Sequence, residues 1–169
     1  MPDTLRACVI DANVLIDLQH GGIVSALFGL PIYPMTTDFL LDELPQNLQA
    51  QLQRQGLVFS ELSEADIEEL ALMRGQFIGP SFYDLSVLVL AKKRGAWLLT
   101  GERQLRSIAQ TAGLTVHGTL WLLDEMIRHR VIVPTVAAQA LQRMLQQGSR
   151  QPREECEKRL ARWRALEQS

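Results

Sequence analysis

Acidic residues recur in this chain where short apolar runs end or where the next helix begins. The segments are Cys8-Val9-Ile10-Asp11-Ala12-Asn13, Asp38 to Glu43, Ser81-Phe82-Tyr83-Asp84 and Leu98-Leu99-Thr100-Gly101-Glu102. In an open α/β sheet, ligands bind outside the carboxyl ends of the strands. Acids far apart in the chain can therefore meet at one edge. Two like charges about 4 Å apart repel by about 4 kcal/mol at an effective dielectric near 20. A group of four carboxylates needs protons or a cation to offset that repulsion, and a divalent-metal site is the economical reading.

The alternation of apolar strands with helices predicts an α/β fold, a three-layer sandwich with a mostly parallel central sheet flanked by helices. Strands are expected at Arg6 to Ala12, Pro31 to Met35 (its prolines suiting a sheet edge), Leu57 to Leu62, Ala96 to Thr100 and Leu114 to His117. Helices are expected from Val14 with Asn13 at a cap, from Thr36 or Thr37 to a stop at Pro45, from Ser63 and from Ser81. Others follow Glu102, Leu120 and Pro134. Residues 1–148 read as one domain. Gly148-Ser149-Arg150-Gln151-Pro152 reads as a hinge before an Arg- and Glu-rich helical appendage, 149–169.

Composition narrows the class. The chain has 169 residues, 47% hydrophobic and 21% charged, ordinary proportions for a globular protein. Cys8 and Cys156 are far apart and form neither a disulfide framework nor a zinc spacing, so a reducing cytoplasm is expected. No apolar run has the length of a bilayer span, and Arg6 onward starts a strand without an apolar leader, so no membrane role is expected. The net charge of −2 conceals an asymmetry: residues 1–91 carry −9 and residues 92–169 carry +7. Acids beside a basic surface suit work on a polyanion, although basic residues on solvated helix faces would give the same count.

Each acid has a structural explanation as well. Asp11 follows a strand and could cap the next helix, with Asn13 orienting it or capping in its place. Asp17 is expected to face solvent. Glu43 is in step with Phe39 and close to Leu40, which places it nearer the buried edge than Asp38 or Asp42. Asp84 fits a capping box with Ser81 and also precedes the apolar stripe Leu85, Leu88, Val89. Glu102 closes a Thr-Gly-acid turn, where a first-turn acid suits the helix dipole. His20, His117 and His129 are scattered and read as structural or surface residues, and Trp97 and Trp121 as core.

Taken in order, Asp11-x-Asn13, Glu43 some thirty residues on, Ser81-x-x-Asp84 and Leu98-Leu99-Thr100-Gly101-Glu102 make the chain resemble PIN-domain proteins. That nuclease family includes the toxin components of many bacterial and archaeal toxin–antitoxin pairs. Arg103 to Ala109 and Val116-His117-Gly118-Thr119-Leu120 extend the similarity over about residues 6–147. The resemblance implies a ribonuclease that uses Mg²⁺ or Mn²⁺, with Asp11, Glu43, Asp84 and Glu102 as metal-binding, catalytic carboxylates. Asn13 and Thr100 would support them. It also implies an RNA substrate and an antitoxin-type protein inhibitor. One departure stands out: the fourth acid is usually Asp, and Glu102 is longer by one carbon–carbon bond of about 1.5 Å.

Two rivals remain. One is a PIN-fold module that binds RNA or a partner protein without cutting. The other is a phosphatase of the haloacid-dehalogenase type, which normally needs Asp-x-Asp where this chain has Asn13. In the tail, Cys156, Leu160, Trp163 and Leu166 form a narrow apolar stripe. The stripe is expected to dock on its own domain or on a second copy in a homodimer, leaving Arg153, Lys158, Arg159, Arg162 and Arg164 outward.

Overall fold

The computed structural model describes residues 5–169. Five strands, β1 (Arg6–Ile10), β2 (Ile32–Thr37), β3 (Val58–Ser60), β4 (Trp97–Leu99) and β5 (Val116–His117), form one sheet in the order β3-β2-β1-β4-β5. Every pairing is parallel. The helices are α1 (Ala12–His20), α2 (Val24–Leu27), α3 (Gln46–Gln55), α4 (Glu64–Gln76) and α5 (Phe82–Arg94). They continue with α6 (Arg103–Thr111), α7 (Thr119–Arg128), α8 (Pro134–Gln146) and α9 (Arg153–Glu167). Helices cover both faces of the sheet, as parallel strands require.

The central strand explains the order. Cys8, Val9 and Ile10 are wholly buried, an apolar run that only a strand covered on both faces can use. The chain winds from β1 to β2 and β3, then crosses back to lay β4 on the other side of β1, with Ile10 level with Leu99. The direction of winding reverses between β1 and β4, so a crevice opens outside their carboxyl ends. α5 makes the crossing and is buried from Leu85 through Ala91. Ser81 and Asp84 close a reciprocal capping box at its start, and Gly95, at φ 59, ends it in a left-handed turn before β4.

Several expectations need correction. β2 is not an edge strand: β3 lies outside it, although β3 flanks only Met35 to Thr37 and leaves Ile32 to Pro34 without an outer neighbour. The helix expected to carry Asp38, Asp42 and Glu43 is a single 3-10 turn, Asp38–Asp42. Pro45 does not end a helix but precedes α3, which has only Leu48 and Leu52 buried on an otherwise Gln-rich surface. Asp17 does not face solvent. It is half-buried and accepts hydrogen bonds from Thr119 Oγ1 at 2.9 Å and Gln151 Nε2 at 3.2 Å. Both cysteines are buried free thiols, and burial pushes Cys8 up to about 12. Among the described residues, no helix is long and apolar enough to cross a membrane.

The tail docks in cis. α9 returns along α8, bringing Glu167 to the start of α8, where it accepts from Thr135 N at 3.1 Å. Cys156 and Trp163 are 3% and 1% exposed, Leu160 is half-buried, and Leu166 lies outside the contact. Asp124 of α7 accepts from Trp163 Nε1 at 3.0 Å, Arg159 Nε at 2.8 Å and Arg162 Nη2 at 2.5 Å. Arg159 is therefore turned inward rather than outward, and Arg162 is pinned. Arg153 and Lys158 pair with Glu157 and Glu154 on their own helix, and Arg164 is exposed. Trp163→Ala should lower unfolding free energy by about 3–5 kcal/mol in denaturant titration. Trp163→Phe should lose far less; wild-type stability in the Ala variant would mean α9 is undocked in solution.

Candidate active site

Asp11 is the first residue past β1 and the N-cap of α1. Its backbone N–H donates to Leu99 O at 2.9 Å, continuing the β1–β4 pairing by one rung. Its Oδ1 accepts from Ala12 N and its Oδ2 from Thr100 Oγ1, each at 2.8 Å. The residue is only 1% exposed. Thr100 is equally fixed: its N–H donates to His117 O on β5, and its hydroxyl accepts from Glu102 N at 3.1 Å while donating to Asp11. The hydroxyl next to Asp11 thus has one orientation.

Asp84 enters from the start of α5. Its Oδ2 accepts from Ser81 N at 2.9 Å, while its own N–H donates to Ser81 Oγ at 3.0 Å. Glu43 ends the 3-10 turn after β2, with its N–H on Leu40 O and its side chain exposed. Three hydroxyls whose bonds sequence reasoning missed, those of Thr36, Thr37 and Ser86, hold this corner. Thr36 Oγ1 donates to Ile10 O at 2.8 Å, tying β2 to β1. Ser86 Oγ donates to Tyr83 O, so Thr37 must be the donor in the 2.9 Å contact with Ser86, tying β2 to α5. Tyr83, also unforeseen, reaches Asp42 at 3.4 Å.

Three of the four expected acids press on one another. Burial raises Asp11 to about 7, with the charges of Asp84 and Glu43 adding to the rise and the bonds from Thr100 and Ala12 opposing it. Glu43 is raised as well, by partial burial and then by Asp84. No Lys, Arg or His among the described residues pairs with Asp11, Glu43 or Asp84. Glu102 stands at the same edge, after β4, with its carboxylate turned back: Oε2 accepts from Leu105 N at 2.6 Å and caps α6. Asn13 sits exposed in the first turn of α1, and Asp11 itself is the cap.

These are all oxygen donors, the set that hard divalent cations prefer, and among the described residues no salt bridge offsets the repulsion of Asp11, Glu43 and Asp84. The chemistry of the donors fits such an ion. Among the described residues, however, no three Asp, Glu, His or Cys side chains already close on a single point. A cation at Asp11, Glu43 and Asp84 would need side-chain adjustment or intervening water, which Mg²⁺ commonly retains. A separate cavity of about 530 Å³ between α4 and α6, lined by Leu72, Met73, Phe77 and Ile108, includes none of these acids.

The sequence model of the family described as PIN domain matches residues 7–165. No match is found among curated proteins. Among solved structures, the chain is similar to PAE2754 from Pyrobaculum aerophilum at 18% identity and a TM-score of 0.47, covering 78% of this chain and 100% of that one. It is also similar to a PilT N-terminus domain protein from the archaeon Sulfolobus solfataricus P2. That match has 11% identity and a TM-score of 0.45, and covers 72% of this chain and 93% of that one.

The raised Asp11 has a measurable consequence. An unfolded Asp releases its proton near 4, whereas the folded chain holds this one up to about 7. Between those values the folded state binds more protons, so stability falls as pH rises in metal-free buffer. Asn at position 11 keeps an acceptor for Ala12 N–H and does not titrate. The fall in Tm between about pH 4 and pH 7 should therefore be smaller in Asp11→Asn than in wild type; equal slopes would show that Asp11 is ionised throughout.

Proposed function

This chain belongs to the PIN-domain family, whose members are typically nucleases, and on that premise we propose that it is a metal-dependent endoribonuclease. The observation that carries the reading is the buried Asp11 carboxylate, pushed up to about 7 beside Asp84 and Glu43, with no ion pair to balance it among the described residues. Asp11, Asp84 and Glu43 would hold Mg²⁺, or Mn²⁺, with Glu102 joining if it leaves Leu105 N–H. When bound, such an ion supplies a more acidic water and offsets charge that builds on the phosphate.

The chain's own residues divide the remaining work. Asp11 is oriented from both sides, by Ala12 N–H and the Thr100 hydroxyl, so its free lone pairs point in a defined direction. Asp84 is held by Ser81 N–H, which leaves its other oxygen available to the crevice. Glu43 is exposed, with its pKa raised by partial burial and then by Asp84, and would complete the set by holding the ion directly or through water. Thr100 and Ser81 act as positioning residues through these bonds.

A second reading is favoured by one feature. Glu102 replaces the family's usual Asp and spends its carboxylate on α6, as it would in a module that binds RNA without cutting it. Cleavage of labelled single-stranded RNA with Mg²⁺, with Mn²⁺ and with chelator separates the two. On the nuclease reading, Asp84→Asn lowers the rate by at least about 100-fold, since even outer-shell partners of a metal cost 10–100-fold. No metal-dependent cleavage in wild type would leave the binding module. Glu102→Gln keeps an acceptor for Leu105 N–H, so stability should hold while activity falls, and Glu102→Asp should preserve or raise activity. A Gln variant as fast as wild type would remove Glu102 from the site.

A further inference from the structure

A cluster of carboxylates repels the phosphates it is meant to cut, so a nuclease of this kind needs affinity from a neighbouring surface. The structure has one beside Thr100. Trp97 opens β4, His117 closes β5 and Trp121 lies in the first turn of α7. The His117 and Trp121 rings stack in parallel, 3.9 Å between centroids and 8° apart. Trp97 meets both edge-on, at 5.1 Å and 5.8 Å, and the Arg6 guanidinium lies 5.0 Å from the Trp97 ring centre. The expectation that Trp97 and Trp121 are core is only half right. Trp97 and Trp121 pack against the core yet, like His117, are only partly buried, whereas Trp163 is sealed.

The cluster is tied to the site by backbone. His117 pairs with Leu99, its carbonyl accepts from Thr100 N–H at 2.9 Å, and the Thr100 hydroxyl donates to Asp11. β1, β4 and β5 are successive strands, so two strand spacings, about 10 Å, separate the Asp11 and His117 positions. Arg106 donates to Thr100 O at 3.2 Å, and Arg103 is exposed at the start of α6. Among the described residues neither pairs with a carboxylate. Glu125, the acid whose charge acts on His117, is already bonded to Arg128.

We propose that the His117–Trp121 stack, with Trp97 at its edge and Arg106 beside it, is a base-stacking platform for single-stranded RNA whose backbone is cut at the carboxylates. The proposal rests on the ribonuclease reading and adds the surface that recognises the substrate. Unpaired bases offer faces to aromatic rings, and the stacking tolerates any sequence. A duplex hides those faces. Arg106 and Arg103 supply the positive charge that the acidic crevice lacks. Burial lowers the His117 pKa, with Glu125 opposing the shift and Arg106 adding to it, which favours the neutral ring.

Binding of labelled single-stranded and duplex RNA to the full chain in chelator, where nothing is cut, tests this. Trp121→Leu and His117→Leu should each weaken single-strand binding about tenfold and leave duplex binding unchanged. Arg106→Gln should weaken both and reduce the salt slope by about one. Single-stranded RNA should also quench the wild-type tryptophan emission of Trp97 and Trp121, a readout that survives if a variant fails to fold. Wild-type affinity in both stack variants, an equal loss for duplex, absence of quenching, or no RNA binding by wild type would each overturn the platform. Normal binding in the stack variants with cleavage lost in Asp84→Asn would sink the platform alone. Lost binding with undiminished cleavage in Asp84→Asn would sink the carboxylate site alone.

Discussion

The organisation of this molecule depends on one buried carboxylate at the point where the sheet changes its direction of winding. Burying an ion without compensation is costly, and a protein tolerates it only with hydrogen bonds, a partner charge or a proton. Asp11 has two side-chain hydrogen bonds, and they do structural work as well. One caps α1, and the other joins the ends of β1 and β4 through Thr100. With Thr36 on Ile10 O, three adjacent strands are fastened at the same end. The edge where chemistry is expected is thus held by side-chain hydrogen bonds that cross from strand to strand.

The signals legible in the sequence were local. The apolar runs of β1 and β4 and the Ser81–Asp84 box each lie within a few neighbouring positions. The placement of Asp11, Asp84 and Thr100 follows from them once the sheet is parallel. What escaped was set by partners far along the chain. Asp17 reads as a surface acid until Thr119, 102 residues away, donates to it. Arg159 reads as outward until Asp124 draws it in. α3 was missed because Leu48 and Leu52 are its only buried residues, too faint a stripe to stand out from glutamines.

Glu102 shows how one residue can satisfy two readings. As an N-cap it meets the need of α6 for an acceptor at its start, and that need exists whatever the protein does. As an acid at the carboxyl edge it stands beside Thr100, whose hydroxyl accepts its N–H. A capping bond to a backbone N–H contributes about 1 kcal/mol. Such a bond is weak enough that a stronger partner could replace it.

The docking of α9 changes what the connection between the last two helices means. Residues 147–152 look like a severable hinge, yet Trp163 lies against the face of α8 that carries Pro134 and Ala138. Removing α9 would bare that apolar strip and leave Asp124 without three of its donors. A nicked or truncated product would then carry a sticky surface, and self-association would be its foremost failure. The tail therefore covers an apolar strip of α8, and a fusion partner belongs after the exposed residues beyond Trp163, not in the hinge.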